Sequence, residues 1–446
     1  MGNGKADVTV IGAGLAGCEA AYRIAESGFS VRLIDGKPHA LSPAHRSGLF
    51  AELVCSNSLK SDEAGTAGGL LKAELREIGC LLLAAAEKTR VPAGGALAVD
   101  REKFAACVTS VVRDHPRIRI EEQTVADFCD DVLTVVATGP LTQGGMNEAL
   151  ARRLGQSLGF YDAAAPVIDA DSIDSAYCFT ASRYGKGDAD YLNCPLNEEE
   201  YKTFVSELVR AERAQLHAFD KREIFEGCMP VEVMAERGAD TLRFGPLRPV
   251  GFTDPRTGKR PYAVVQLRAE NAEKTMYNIV GFQTNLKFGE QKRVFSRIPA
   301  LHDATFLRYG VMHRNTYINA PRELDASSQL RRYPNTFIAG QLSGVEGYVE
   351  SIASGLLCGI NAVRLLQGKS TLVFPAETMI GALLRYITSP RENFQPMNAN
   401  FGILPPLNER VRDKSKRKIA YCERALSKLR EFASIHGFMQ NRAHLI

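Results

Sequence analysis

The start of the chain alternates short apolar runs with an amphipathic stretch. Val8–Ile11 has the length of a buried parallel strand, and the run Ser30–Asp35 reads as a second strand. Between them, apolar residues recur at helical spacing as far as Gly28, which suits the C-terminal stop of a helix. These apolar positions are Leu15, Cys18, Tyr22 and Ala25. The pattern therefore predicts a strand, a helix and a second strand that ends at Asp35.

The turn between the first strand and the helix predicts a dinucleotide site. Gly12, Gly14 and Gly17 have the spacing at which glycines allow a tight turn and a close approach of backbone to a pyrophosphate. The amides at the helix N-terminus then face the phosphates, and a carboxylate at position 35 can accept hydrogen bonds from ribose hydroxyls. The predicted cofactor-binding residues of this unit are Gly12, Ala13, Gly14, Leu15, Ala16, Gly17 and Asp35.

Two later segments indicate that the dinucleotide is FAD. The apolar run that begins at Val135 leads into the small-residue turn Thr138-Gly139-Pro140, as where a flavoprotein chain leaves its FAD domain. The strand-like run Thr336–Gly340 is followed by Gly347, Tyr348 and a helix that continues to Leu366. Such a helix brings a second N-terminus to a flavin. We therefore add Gly340, Gly347 and Tyr348 to the predicted FAD site.

The middle of the chain has a different pattern of apolar and polar residues. Asn197 and Glu200 form a predicted capping box, and strand-like runs follow at residues 261–267 and 278–282. The predicted buried face of the capped helix is Tyr201, Phe204, Val205, Leu208 and Val209. We predict an α/β protein with a Rossmann-like FAD-binding domain from residues 1–161 and 300–446. An α+β domain, residues 162–299, is inserted between these two parts.

Composition narrows the class of protein. The 446 residues are 45% hydrophobic and 24% charged, which is typical of a globular chain. No uninterrupted apolar stretch approaches the roughly 18 residues of a membrane span, and no secretory signal opens the chain. We therefore expect a cytoplasmic protein with no membrane partner. Cys178 and Cys194 are the closest cysteines in sequence and are too far apart for a CxxC knuckle, so we expect no structural metal.

The net charge of +4 does not by itself predict a nucleic-acid partner. Basic residues are nevertheless concentrated near the C-terminus, where six of the nine residues 410–418 are Lys or Arg. Such a run is compatible both with a solvated charged helix and with a patch that contacts phosphates.

Two of the ten cysteines are candidates for chemistry. Cys55 leads into Ser56-Asn57-Ser58, whose donors can surround a thiol, and Cys228 lies between Gly227 and Met229-Pro230 in a loop-like setting. Thiols in loops can be activated by nearby amides or cations. The pattern alone leaves both as candidates without assigning a role to either.

The chain resembles the methylenetetrahydrofolate- and FAD-dependent tRNA (uracil-5-)methyltransferases, the TrmFO family, which is related to MnmG. The resemblance runs in order from about Asp7 to about Leu407. The segments that carry it include GAGLAGCEAA, FAELVCSNSLK, VPAGGALAVDRE, FEGCMPVEVMAERG, TLRFGPLRPVG, GFQTNLKFGEQKRVFS, RYGVMHRNTYIN, GVEGYVESIASG and FQPMNANFGILPPL. One departure is Asp35-Gly-Lys-Pro, where the family usually has Glu-Met-Arg-Pro.

The resemblance implies methylation of uracil carbon 5 in the T-loop of tRNA. Cys228 matches the family nucleophile that adds to uracil carbon 6 and makes carbon 5 nucleophilic. Cys55 matches the second family cysteine, for which removal of the carbon 5 proton is plausible. The implied cofactors are FAD, 5,10-methylenetetrahydrofolate as carbon donor and NADPH or NADH as reductant. Tyr348 and Phe288 match family aromatics near the flavin, and their rings can stack on flavin, pterin or uracil.

Three alternatives remain at this stage. The same chemistry could act on a ribosomal RNA uridine. An FAD disulfide reductase or oxidase is disfavoured because no CxxC or CxxxxC pair follows the first helix. A non-catalytic RNA-binding flavoprotein would have no need of cysteines at both motif positions.

Overall fold

The structure is a computed structural model that describes residues 6–42, 44–155, 158–163, 165–185, 190–214, 229–310, 312–391 and 394–438. The strands are β1 Val8–Ile11, β2 Val31–Asp35, β3 Ser58–Ser61, β4 Arg90–Val91, β5 Ala96–Val99, β6 Ile118–Glu122, β7 Thr134–Val136, β8 Leu158–Ala163, β9 Val167–Asp169, β10 Phe179–Thr180, β11 Tyr191–Leu196, β12 Ala263–Ala269, β13 Met276–Ile279, β14 Phe306–Arg308, β15 Met312–Tyr317 and β16 Thr336–Ile338.

Helices follow most of these strands along the chain. They are α1 Leu15–Glu26, α2 Ala67–Ile78, α3 Leu81–Lys88, α4 Arg101–Asp114, α5 Gly144–Leu154, α6 Glu198–Arg210, α7 Val231–Glu236, α8 Thr241–Phe244, α9 Phe288–Phe295, α10 Ala320–Glu323, α11 Tyr348–Leu366, α12 Met379–Thr388 and α13 Lys414–His436.

A five-stranded parallel sheet is built from both ends of the chain. Its order is β16-β7-β1-β2-β6, so a strand from near residue 337 lies beside strands from the first third of the chain. Val10 in the central strand pairs with Leu33 on one side and with Val135 on the other, and all three are fully buried. An apolar strand suits this position because helices cover both faces of a parallel sheet. The predicted Rossmann-like domain is confirmed.

Helices α1 and α11 cross at close range over this sheet. A Cβ added at Gly355 would collide with the backbone of Ala16, and one at Gly359 would lie 3.1 Å from the carbonyl oxygen of Ala20. Only a small residue on each helix permits this approach. The crossing fixes the first turn of α11 relative to the glycine turn that precedes α1.

A second, antiparallel sheet lies between the two parts of the first domain. Its six strands run in the order β10-β11-β12-β13-β9-β14, and helices α6 to α9 pack with it around a separate core. The residues of that core come from positions 168–304, whereas the core of the parallel domain takes none from that range. An inserted α+β domain is therefore confirmed, while its exact boundaries at residues 162 and 299 stay a prediction.

The inserted domain confirms some predicted details and corrects others. Asn197 and Glu200 form the predicted capping box at the start of α6. Val209 does not share the buried face of that helix, because its side chain is 39% exposed. The predicted strand at 278–282 was wrong in its bounds. It ends at Ile279 because the chain turns at Gly281, where φ is +79°.

One helix of the described chain, Tyr348–Leu366, is long and apolar enough to cross a membrane by length and composition alone. Most of it is buried in the parallel domain, where it packs against α1. Burial in a core explains its apolar composition. A cytoplasmic location stays a prediction.

Candidate active site

A cavity of ≈ 330 Å³ opens at the carboxyl ends of the parallel strands. Its walls come from the turn after β1, the end of β2, the turn after β7 and the start of α11. This is the edge of an open α/β sheet where ligands bind. Of the residues predicted for the cofactor, those that line the cavity are Gly12, Gly14, Leu15, Ala16, Asp35, Gly340 and Tyr348.

A different physical reason explains why each of the three positions in the first turn is a glycine. Gly12 has φ +102°, and a Cβ there would press on the backbone of Ala137. A Cβ at Gly17 would collide with the carbonyl oxygen of Gly12, so this glycine allows α1 to pack on the strand. A Cβ at Gly14 would meet no protein atom within 4 Å. Protein packing therefore does not require Gly14 to be glycine, and the open space beside it fits a ligand that touches the backbone.

Asp35 closes the same turn at the end of β2. Its Oδ2 accepts a hydrogen bond from the backbone N–H of Ala13 at 2.5 Å, and its Oδ1 accepts one from Lys37 at 2.8 Å. Each carboxylate oxygen can accept two hydrogen bonds, so acceptor capacity remains for the hydroxyls of a ribose. The acid thus holds the glycine turn and borders the cavity at once.

Tyr348, the first residue of α11, joins the cavity to Cys55. Its hydroxyl accepts hydrogen bonds from the backbone N–H groups of Cys55 at 2.8 Å and Ser56 at 3.2 Å, and lies 2.8 Å from the sulfur of Cys55. A phenol has two acceptor sites and one proton. Because two backbone N–H groups already donate to the phenolic oxygen, we assign the O–H as the donor in the contact with the sulfur.

The environment of Tyr348 keeps that proton in place. Burial, and then the nearby sulfur of Cys55, raise the pKa of the Tyr348 hydroxyl well above its ordinary value. The hydroxyl is therefore protonated throughout the neutral range. An O–H group aimed at a sulfur stabilises negative charge on that sulfur.

The loop that carries Cys55 is also held by the inserted domain. The guanidinium of Arg268, on β12, donates to the side-chain oxygens of Asn57 and Ser56 at 2.9 Å each. The amide nitrogen of Asn57 in turn donates to the carbonyl oxygens of Val99 and Ala269. Sequence reasoning missed Arg268, although an arginine inside a largely apolar strand was a usable signal.

An ion pair between exposed Lys60 and buried Glu350 lies at the N-terminus of α11. Lys60 contacts Glu350 at 3.2 Å, and Glu350 also accepts a hydrogen bond from the backbone N–H of Ala399 at 3.0 Å. Gly347 does not line the cavity. It has φ +120°, and a Cβ there would collide with the carboxylate of Glu350. The packing around Glu350 therefore explains why position 347 is a glycine.

Arg308, at the end of β14, brings a cation to the other side of the Cys55 loop. Its Nη1 lies 3.4 Å from the carbonyl oxygen of Val54, while its buried Nε and Nη2 have no hydrogen-bond partner among the described residues. Burial, together with the charge of nearby Arg101, lowers the pKa of Arg308 to about 10, so it stays charged at neutral pH. Arg101 differs because it is paired with Glu270.

The remaining predicted residues lie elsewhere or outside the description. Phe288 is not among the residues that line the cavity; its ring stacks on Tyr309 with a centroid distance of 5.0 Å. Cys228 lies outside the described residues. Its role stays a prediction, as does the absence of a structural metal. Among the described residues, no group of three or more His, Cys, Asp or Glu side chains is placed to hold a metal ion.

The basic run near the C-terminus, residues 410–418, extends from the segment before α13 into its first turn. Asp413 caps the helix by accepting a hydrogen bond from the backbone N–H of Lys416 at 2.7 Å, and residues 412–417 are mostly exposed. A neighbouring surface cavity of ≈ 510 Å³ is lined by residues 406–412, Arg417 and Tyr421. Both earlier interpretations, a solvated helix and a phosphate-contacting patch, fit this arrangement.

Fold and cavity together define an FAD-binding protein of the glucose-inhibited division protein A class. The family model "Glucose inhibited division protein A" matches residues 7–370. The structure of Aquifex aeolicus GidA in its form II crystal has a TM-score of 0.72 to this chain at 16% identity, and the match covers 99% of this chain and 75% of that one. The form I crystal gives a TM-score of 0.70 at 17% identity, with coverage of 99% and 77%.

Closer relatives narrow this class. The methylenetetrahydrofolate--tRNA-(uracil-5-)-methyltransferase TrmFO of Acetivibrio thermocellus is 54% identical over 429 residues, which is 96% of this chain and 98% of the relative. The proteins of the same name from Desulfitobacterium hafniense and Heliobacterium modesticaldum are 54% and 55% identical, over 96% and 95% of this chain and 99% and 97% of their own lengths. The chain belongs to the TrmFO family.

Proposed function

We propose that this protein methylates carbon 5 of a uracil in the T-loop of tRNA, with 5,10-methylenetetrahydrofolate as carbon donor and FAD as bound cofactor. One observation carries the proposal. The cavity that begins at the glycine turn and Asp35 ends at Tyr348, whose hydroxyl lies 2.8 Å from the Cys55 sulfur. Tyr348 therefore borders the dinucleotide site and contacts the thiol. The names of the relatives given above indicate which reaction the two groups carry out.

The residues of the cavity fit FAD. The backbone beside Gly14 is open to a pyrophosphate, Asp35 has acceptor capacity for ribose hydroxyls, and Tyr348 presents an aromatic ring at the far wall. Bound FAD, reduced by NADPH or NADH, supplies the two electrons that convert a methylene group to a methyl group. Methylenetetrahydrofolate alone delivers a carbon at the oxidation level of formaldehyde, so this reducing capacity is required.

The two cysteines divide the remaining work. Carbon 5 of uracil is a poor nucleophile, and addition of the Cys228 thiolate at carbon 6 makes an enolate. Carbon 5 of that enolate attacks the methylene carbon of the donor, whose bond to the tetrahydrofolate nitrogen breaks as that nitrogen takes a proton. The proton on carbon 5 must then leave, so that the Cys228 sulfur can be expelled and the ring restored. We assign the removal of that proton to the sulfur of Cys55, which Tyr348 can support as a thiolate through its O–H donor.

Backbone and side-chain contacts keep Cys55 in position for this step. Tyr348 binds the backbone N–H groups of Cys55 and Ser56, and Arg268 binds the side chains of Ser56 and Asn57. The two anchors come from different domains. The relative placement of the domains therefore fixes where the sulfur lies.

A methylation assay tests the proposal and its RNA target. Purified protein is incubated with methylenetetrahydrofolate labelled in the transferred carbon, with NADPH or NADH, and with unmodified tRNA transcripts or ribosomal RNA fragments. We expect label in the T-loop uridine of tRNA and none in a transcript in which cytidine replaces that uridine. Label confined to ribosomal RNA would keep the chemistry and change the target. No transfer to any RNA would contradict the proposal.

A further inference from the structure

Three aromatic rings form a continuous stack on the inserted domain. The rings of Phe288 and Tyr309 are 5.0 Å apart with an interplanar angle of 15°, and those of Tyr309 and Phe306 are 5.4 Å apart at 5°. Phe306 and Tyr309 are partly buried, whereas Phe288 at the end of the stack is 55% exposed. One face of Phe288 is thus occupied by Tyr309, and much of its remaining surface is accessible.

Buried hydrogen bonds hold the stack in place. The side-chain amide of Gln291, on α9, donates to the carbonyl oxygen of Gly310 at 2.8 Å and accepts from its N–H at 2.7 Å. Gln291 is fully buried, and it ties the residue after Tyr309 to the helix that begins with Phe288. An exposed ring supported in this way costs little ordering entropy when a flat partner binds to it.

The stack is linked to the loop that carries Cys55 and to the described residues on both sides of segment 215–228. Arg308, next to Tyr309, contacts the carbonyl oxygen of Val54 beside Cys55. On the other side, the backbone N–H of Ala214 donates to Asn285 at 2.8 Å, and that of Val231 donates to Gln283 at 2.7 Å. Backbone hydrogen bonds therefore join the described residues on both sides of segment 215–228 to residues 283–285, which precede Phe288 in the chain.

The charge near the stack suits a nucleic acid. Lys292 is exposed and lies four residues after Phe288, on the same face of α9. An aromatic face with an adjacent cation is the arrangement by which proteins bind single-stranded nucleotides, one base stacked and its phosphate paired.

We propose that the accessible face of Phe288 stacks on a base of the RNA substrate and that Lys292 binds a phosphate of the same RNA. The proposal rests on the function proposed above and adds the residues that position the RNA. Phe288 is then a positioning residue, which explains why it lies outside the cofactor cavity.

Binding measurements on matched variants test this site. The probe is a tRNA T-arm hairpin in which 2-aminopurine replaces, one at a time, the nucleotides that flank the target uridine. We expect binding to quench the fluorescence at one position in the wild type and in Phe288→Trp, but not in Phe288→Ala. Base stacking on an aromatic ring predicts that Phe288→Ala weakens RNA binding between about 5-fold and 100-fold. Phe244→Ala removes another exposed phenylalanine, 82% accessible, and should leave binding unchanged.

Lys292 is tested by the salt dependence of the same binding. Lys292→Gln should reduce the slope of log K against log salt by about 1, and Lys292→Arg should preserve it. Unchanged RNA affinity and unchanged quenching in Phe288→Ala would overturn the stacking site. Loss of bound flavin in Phe288→Ala would also overturn it, because the ring would then serve the cofactor. If the wild type methylates RNA in either case, the proposed function stands without this site, whereas a wild type that does not bind RNA contradicts both.

Discussion

The hydroxyl of Tyr348 lies 2.8 Å from the sulfur of Cys55, although 293 residues separate them in the chain. The contact exists because α11 crosses α1 through Gly355 and Gly359, which places the first residue of α11 beside the loop that carries Cys55. Cofactor cavity and candidate catalytic thiol are thereby linked through a single side chain.

Tyr348→Phe should slow the reactions of Cys55 and leave the fold intact. The substitution keeps the ring and removes the only O–H donor that the tyrosine offers to the sulfur. Hydrogen bonds to charged groups contribute about 1.5–3 kcal/mol, so we expect methylation and alkylation of Cys55 to fall roughly tenfold or more. Alkylation by iodoacetamide is followed by mass spectrometry. Tyr191→Phe, which loses a bond to the carbonyl oxygen of Ala93, is the control, and equal rates in all three proteins would refute the role of the hydroxyl.

Gly14→Val should give a folded protein without flavin. A Cβ at Gly14 meets no protein atom, so the side chain occupies the space assigned to the pyrophosphate rather than disturbing the core. We expect a native circular dichroism spectrum with loss of the flavin absorbance. Gly289→Ala, on an exposed turn of α9 where a Cβ also meets nothing, should remain yellow. Full flavin occupancy in Gly14→Val would show that the first turn does not hold the cofactor.

The sequence predicted the parallel domain well because its signals are local. Strand, turn, helix and acid follow one another within residues 8–35, and each imposes a backbone or packing requirement that only a few residue types meet. The inserted domain was predicted less accurately. Val209 satisfies the helical period yet lies at the edge of the covered face, and period alone does not reveal how far a neighbouring element extends.

The candidate site was only partly predictable, since it depends on contacts between distant segments. The aromatic residue Tyr348 was predicted near the flavin, but its hydrogen bonds to Cys55 follow from a helix crossing that no short motif encodes. Arg308 opens the segment RYGVMHRNTYIN that carries the family resemblance, yet neither Arg308 nor Arg268 was given a role, because the role of each comes from the loop that it faces. Gly347 was predicted as a cofactor ligand, whereas its surroundings explain it by packing against Glu350.

Trapping with 5-fluorouracil separates the roles of the two cysteines. Fluorine at carbon 5 cannot leave as a proton does, so the covalent bond between enzyme and carbon 6 persists after the methylene transfer. We expect wild type and Cys55→Ala to form a covalent complex with a 5-fluorouracil T-arm RNA, and Cys228→Ala to form none. The complexes are resolved by denaturing electrophoresis. An adduct of equal yield in Cys228→Ala would transfer the nucleophilic role to Cys55.

Glu74 should make the stability of the fold decline as pH rises. Its carboxyl oxygens accept hydrogen bonds from the backbone N–H groups of Met379 and Ile380 at the start of α12, and burial raises its pKa to about 8. The unfolded chain loses this proton near pH 4.3, so between about pH 4.3 and 8 the folded state binds more protons. The free energy of unfolding therefore falls as pH rises through that window.

Urea unfolding at several pH values between about 5 and 8 measures this effect. Glu74→Gln cannot ionise and should flatten the decline, whereas Gln at the exposed Glu148 should leave it unchanged. Parallel profiles for wild type and Glu74→Gln would show that Glu74 ionises in the folded protein as it does in the unfolded chain.

The source of the methyl group tests the central claim most directly. Protein purified with its FAD is given unmodified tRNA and either methylenetetrahydrofolate with NADPH or NADH, or S-adenosylmethionine alone. The methylene carbon of the folate must be reduced by two electrons to become a methyl group, whereas S-adenosylmethionine already carries a methyl group. We expect only the first mixture to methylate the T-loop uridine. Removal of the FAD should abolish that activity, and adding it back should restore it. Methylation from S-adenosylmethionine alone, undiminished after the FAD is removed, would contradict the account.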